Sequence, residues 1–383
     1  MSVTAPRGFR AAGVAAGLKS SGDPDVALVV NDGPDDAAAA VFTTNRFPAA
    51  PVLWSRQVLA DQRLRAVVLN SGGANACTGP DGFGDTHATA EHAAGLLGLG
   101  AIDVAVASTG LIGVRLPMEQ LLAGVTEAAG GLSAEGGPDA ARAIMTTDTV
   151  PKTTTQAGDG WTVGGMAKGA GMLAPSLATM LVVLTTDAVV APDVLQRALR
   201  VATSVSVERV DSDGCLSTND TVIAMANGAS GVTPSEGELT AALTAAATDL
   251  AMQLLADAEG STKEIAITVR NAASVQDALT AGRACARNNL LKTALFGNDP
   301  NWGRVLAAIG TTDAAFEPDQ VDVTINGVTV CRGGAIGDPR EGVDLTGRAI
   351  TIDVDLRAGT EQATIWTNDL SLAYVHENSA YST

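Results

Sequence analysis

The sequence predicts a mixed α/β protein built as α+β layers, and three observations point there. Short β-rich runs alternate with alanine-rich amphipathic stretches. The alternation lacks strict βαβ repetition, which excludes an eight-fold barrel. Of 383 residues, 46% are apolar and 17% charged, so the chain can bury a sizeable core and is not disordered.

Taken in order, the runs 26–30 (VALVV) and 66–70 (AVVLN) read as buried strands. A helix follows over 86–97, a strand over 102–107 and a helix over 117–129. The Gly-rich polar break 130–138 reads as a surface loop. Beyond it come a strand over 181–185, a helix over 192–205 and a strand over 221–226. Ser235 and Glu238 have the spacing of a capping box, opening a helix over 236–258. After a strand over 265–270, Ser274 caps a helix over 275–291. Strands over 321–325 and 328–331 flank Asn326-Gly327, a pair suited to the positive φ angles of a type I′ hairpin turn. Two further strands, 350–354 and 363–366, complete the pattern.

The charge balance narrows the partners. With 24 basic and 42 acidic residues the net charge is −18, and no basic cluster offsets it, so neither nucleic acid nor an anionic membrane is expected as a partner. No uncharged run approaches the roughly 18–20 apolar residues of a membrane span. Residues 1–10 lack an apolar run behind a positive stretch, and Cys77, Cys215, Cys285 and Cys331 are scattered without a CxxC pair. Both features fit a reduced, cytoplasmic setting. The only histidines are His87, His92 and His376. A zinc site or a Ser-His-Asp triad has little to draw on, and no metal is expected.

The least ordinary stretch is 164–187, GGMAKGAGMLAPSLATMLVVLTTD. It is not a phosphate loop, because Lys168 is followed by Gly169 rather than Ser or Thr. One reading is a glycine hinge feeding a buried strand. The other is a self-processing threonine: the Thr179 hydroxyl attacks the Ala178 carbonyl, and hydrolysis of the resulting ester frees the Thr179 amine. An N-terminal amine is an established activator of a threonine nucleophile. Elsewhere, Ser108-Thr109-Gly110 at a strand end reads as an ordinary turn or as an oxyanion hole. The run 145–149 (MTTDT) reads as a compact polar site or a helix C-terminal turn. Glu259 could pair with an ammonium, while 298–304 (NDPNWGR) looks like a rigid polar loop that could also hold a charged amino acid. An anchored C-terminus would make the Thr383 carboxylate a ligand group.

Nine strings in order carry a resemblance: GFRAAGVAAGLK, VFTTNRFPAAPV, NSGGANACTG, VASTGLIG, MTTDTVPK, GMAKGAGMLAPSLATMLVVLTTDA, STNDT, DAEGSTK and KTALFGNDPNWGR. The chain resembles, nearly end to end, the ornithine acetyltransferases (glutamate N-acetyltransferases) of the cyclic arginine pathway. That resemblance implies self-cleavage between Ala178 and Thr179, giving an α chain 1–178 and a β chain 179–383 intertwined in one protomer. It implies an N-terminal-nucleophile-like sandwich of its own fold type and an α2β2 heterotetramer. Thr179 would be the nucleophile, with the Thr109 hydroxyl and the Gly110 N–H as oxyanion hole. Thr146 or Thr147, Lys168, Thr179, Glu259, Asn378 and Thr383 would contact the substrates, N2-acetyl-L-ornithine and L-glutamate. No tightly held cofactor is implied, and acetyl-CoA enters only as a second acetyl donor. Asp213-Gly214-Cys215-Leu216 departs from the family's more usual Asp-Gly-Asp-Thr. Two alternatives stay open: an N-terminal-nucleophile amidase or aminopeptidase, and a paralogue serving a secondary-metabolite pathway.

Overall fold

The computed structural model describes residues 2–172 and 180–380. Three sheets organise the chain. The first has four strands in the order Phe9–Val14, Val26–Asn31, Ala66–Asn70, Val104–Ser108, antiparallel except for the last, parallel pair. The second has five, in the order Ala37–Phe42, Thr221–Ala226, Leu181–Thr186, Thr162–Lys168, Lys152–Ala157. Within it only Leu181–Thr186 and Thr221–Ala226 run parallel. The third sheet holds six strands from the C-terminal third, with Glu264–Ala272 between Ala349–Asp355 and Glu361–Asn368.

The second sheet is buried on both faces, and side-chain alternation explains how. Leu181, Val183, Ile223 and Met225 enter a core shared with the whole first sheet. Val182, Leu184, Val222 and Ala224, one residue out of phase, enter a second core beneath the helices Pro192–Ser204 and Glu236–Ala256. A strand buried on two sides needs a continuous apolar run, which Leu181–Leu184 supplies. The third sheet packs its own core against Val275–Ala286, Asn289–Phe296 and Trp302–Ile309. Helix Glu236–Ala256, with 21 residues and a mean hydropathy of 1.4, is long and apolar enough to cross a membrane by composition. Here Leu239, Leu243, Leu250 and Leu254 sit inside the second core instead.

Several expectations are met closely: the strands Ala66–Asn70 and Thr221–Ala226, the Ser235–Glu238 capping box, the Ser274 cap, and positive φ at Asn326 and Gly327. Others need correction. Gly164 and Gly165 lie in the strand Thr162–Lys168, not in a loop, and pair with Thr155 and Thr154. Residues 101–103 form a 3₁₀ turn, closed by the Asp103 carboxylate on the Gly100 N–H, before the strand begins at Val104. The helix expected over 275–291 is two helices, because the Asn288 side chain accepts from Leu291 N and caps a new start. The loop 130–138 ends early, in the helix Gly137–Ala143. The run 298–304 is a loop only to Asn301, whose side chain caps the helix Trp302–Ile309.

Candidate active site

The cleft of interest forms where strand ends from the first two sheets meet. Strand Val104–Ser108 stops at Thr109, which is buried and donates its N–H to Asn70 O (3.0 Å). Gly110 then turns with φ +129°, and a Cβ there would lie 2.9 Å from the Gly73 backbone, so only glycine fits. The Gly110 N–H has no acceptor among the described residues. From the loop ahead of strand Thr221–Ala226, the Asn219 amide donates to Ser108 O (2.7 Å) and Ala74 O (2.6 Å), fixing this corner.

Lys168 arrives from the other side, as the last residue of its strand. It is 2% exposed and donates to Thr109 Oγ1 over 3.2 Å. Burial pushes its pKa down, and Lys152 adds to that, while Asp148, Asp220 and Glu259 pull it back up. Asp148 underlies the arrangement. It accepts from Lys152 Nζ (2.5 Å), Gly169 N (2.7 Å) and Thr146 N (2.9 Å). Burial alone would raise its carboxyl, yet Lys168, Lys152 and these hydrogen bonds hold it below its ordinary value. Lys152 also pairs with Asp257, two residues before Glu259. One buried ionic network therefore connects the Thr146–Thr147 loop, the lysine and the Glu259 turn.

Glu259 closes the far wall. Its N–H donates to Ala170 O (2.9 Å), and its Oε2 accepts from Asn378 Nδ2 (2.9 Å) on the C-terminal helix Leu372–Ala380.

Thr109, Gly110, Thr146, Thr147, Lys168, Glu259 and Asn378 thus all line one cleft of about 540 Å³, although 269 positions separate the first from the last. Ala178, Thr179 and Thr383 lie outside the described residues. Met172, the last residue described before them, lines the cleft. Both Thr146 and Thr147 face it, so the walls admit either as a contact. The run 298–304 is not part of the lining. Among the described residues no three His, Cys, Asp or Glu side chains gather as a metal-ligating group.

Sequence reasoning missed several of the walls. Lys19 ties the N-terminal segment to the site by donating to Met145 O (2.6 Å) and Pro24 O (2.9 Å). Ser71, Ser217 and Asn219 also line the cleft. A signal existed for some of these: GLK, NSGG and STNDT stand among the strings that carry the resemblance, but no chemistry attached to them.

Residues 10–383 match the ArgJ family. The chain belongs to the ArgJ family. Its relatives include the arginine biosynthesis bifunctional protein ArgJ of Streptomyces coelicolor, 64% identical over 382 residues, with both chains fully covered. The protein of the same name from Thermobifida fusca is 63% identical, again over the full length of both. A solved structure of ornithine acetyltransferase with ornithine, from Mycobacterium tuberculosis, is 63% identical and covers 47% of this chain and 96% of that one, with a TM-score of 0.45. For this member of the ArgJ family, the cleft around Lys168 gathers residues from the strand ends of both of the first two sheets and from the C-terminal helix.

Proposed function

We propose that this chain is an acetyltransferase of arginine biosynthesis that moves an acetyl group from N2-acetyl-L-ornithine to L-glutamate through an acetyl-Thr179 ester. One observation carries the reading: Thr109, Gly110, Lys168 and Glu259, remote in sequence, converge on one cleft, and Met172 stands in its lining. The Gly110 N–H and the Thr109 hydroxyl are donors suited to a tetrahedral oxyanion. The Lys168 ammonium accepts no hydrogen bond from Thr109, so the Thr109 proton is left to point at a substrate. Lys168 supplies positive charge for a carboxylate and Glu259 negative charge for an ammonium, which suits a cleft that must hold amino acids.

In the reaction, Thr179 Oγ attacks the acetyl carbonyl while its free α-amine takes the hydroxyl proton. Ornithine leaves, and the glutamate amine attacks the ester to give N-acetylglutamate. Self-cleavage between Ala178 and Thr179 creates that amine. The two products, 1–178 and 179–383, assemble as an α2β2 heterotetramer in the cytoplasm. Supporting this, strands on both sides of the cut are hydrogen-bonded neighbours: Thr162–Lys168 pairs with Leu181–Thr186, and Ala37–Phe42 with Thr221–Ala226. No metal or tightly held cofactor enters these steps. With acetyl-CoA as a second acetyl donor the chain would carry two activities, in keeping with the word bifunctional in its relatives' name.

Intact mass under denaturing conditions tests the reading. Wild type yields two chains broken at Ala178/Thr179, and Thr179→Ala stays whole. With glutamate withheld, acetylornithine leaves an acetyl group on the 179–383 chain. A whole wild-type chain would remove the amine and the reading with it.

A further inference from the structure

Self-cleavage poses a chemical problem that acetyl transfer does not. Before the cut, the Thr179 nitrogen is an amide and cannot accept a proton, so the base of the mature enzyme does not yet exist. Another group must take the hydroxyl proton. The three histidines are not in the cleft. Lys168 is held by its contact with Thr109, and Glu259 by Asn378.

Asp220 is different. It immediately precedes the strand Thr221–Ala226, whose parallel partner Leu181–Thr186 begins two residues after Thr179. It is fully buried, and its Oδ1 accepts the Met180 N–H over 3.1 Å. That nitrogen is covalently bonded to the Thr179 carbonyl carbon, so the carboxyl lies one peptide unit from the threonine. Its other oxygen, Oδ2, is buried and has no partner of good hydrogen-bond geometry among the described residues, although the Ser217 and Thr43 side chains stand close enough to act on its charge. The nearby Thr43 hydroxyl is already donated to Ser217 O (2.6 Å). An unsatisfied carboxyl oxygen in a dry site is costly and calls for an explanation.

We propose that Asp220 is the proton acceptor of self-cleavage, its Oδ2 taking the Thr179 hydroxyl proton as Oγ attacks the Ala178 carbonyl carbon. This rests on the self-cleavage reading above. The step balances without a co-reactant. The new C–O bond gives a tetrahedral oxyanion, whose collapse breaks the Ala178 C–N bond. The departing Thr179 nitrogen takes the proton back from Asp220, leaving a free amine and an Ala178–Thr179 ester. Water then hydrolyses the ester to the Ala178 carboxylate and the Thr179 hydroxyl. Burial raises the Asp220 pKa well above its ordinary value, against the Met180 N–H, Lys168, and the Ser217 and Thr43 hydroxyls. That direction makes the carboxylate, in its ionised form, a stronger proton acceptor.

The test follows freshly synthesised chains by intact mass over time, for wild type, Asp220→Asn, Asp220→Glu and Thr179→Ala, with and without hydroxylamine. Asparagine preserves the shape and an acceptor for the Met180 N–H. Expected is an Asp220→Asn chain that melts near wild type, stays joined, resists hydroxylamine and cleaves at least about a hundredfold more slowly. Cleavage at the wild-type rate, or accumulation of a hydroxylamine-labile ester, overturns the proposal, because the acyl shift would then proceed without Asp220. Should the asparagine variant lose its fold, Asp220→Glu decides: a changed rate with unchanged melting supports the role, and an unchanged rate overturns it. A wild-type chain that never cleaves sinks the self-cleavage reading itself, a result separable from failure at Asp220 alone.

Discussion

Lys168 Nζ donates to Thr109 Oγ1 over 3.2 Å, joining the last residue of a second-sheet strand to the end of a first-sheet strand inside the protein. The bond fixes which way the threonine hydroxyl can donate. Lys168→Met keeps the bulk and removes both charge and donor. Steady-state kinetics should show kcat/KM reduced by about 10²–10³, the cost of an impaired oxyanion site, with self-cleavage slowed as well. Unchanged kinetics would mean Lys168 serves packing alone.

Gly110→Ala should be worse than its size suggests. The residue has φ +129° and backs onto Gly73 at 2.9 Å, so a methyl group meets backbone that cannot swing aside. A loss on the order of 1–3 kcal/mol is expected from strain alone, visible as a lower melting temperature, together with loss of transfer activity.

Glu259 and Asn378 make a paired test. Glu259→Gln removes the charge offered to a substrate ammonium. A hydrogen bond to a charged group is worth about 1.5–3 kcal/mol, so KM for acetylornithine should rise roughly ten- to a hundredfold. Asn378→Ala deletes a contact to Glu259 from an exposed helix and should raise KM only a few-fold. Equal effects would show that Asn378 holds substrate directly.

Asp148 predicts the acid limb of stability. Its folded pKa lies below the ordinary carboxyl value of 3.8, so its contribution is fully present above about pH 4 and is lost as pH falls through the lowered folded value. Asp148→Asn should flatten that limb in urea or thermal melts. At neutral pH it leaves Lys152 with Asp257 alone, and breaking such a buried pair costs about 3–5 kcal/mol.

The sequence made the site more legible than the fold. Runs rich in Val and Ile, such as Val26–Asn31 and Glu264–Ala272, announce their strands. The strands Ala37–Phe42 (AAAAVF) and Thr162–Lys168 (TVGGMAK) do not, because alanine and glycine have low strand propensity and only burial between two cores makes them extended. Lys152–Ala157 (KTTTQA) lies at the sheet edge and lacks apolar alternation. Thr109, Gly110, Lys168 and Glu259 were nameable through family strings, yet nothing local brings them together. Asp148 and Asp220 stayed silent because a buried carboxylate is recognised by its partners, and those come from distant parts of the chain.

The strand order of the second sheet has a thermodynamic consequence. Reading across it, segments from before residue 178 occupy both edges, and Thr221–Ala226 with Leu181–Thr186 are clasped between them. A chain cut after Ala178 cannot release either half without stripping a shared core from both. Separation of the halves and denaturation become one concentration-dependent event, so the cut protein's melting temperature should fall more steeply on dilution than that of uncut Thr179→Ala.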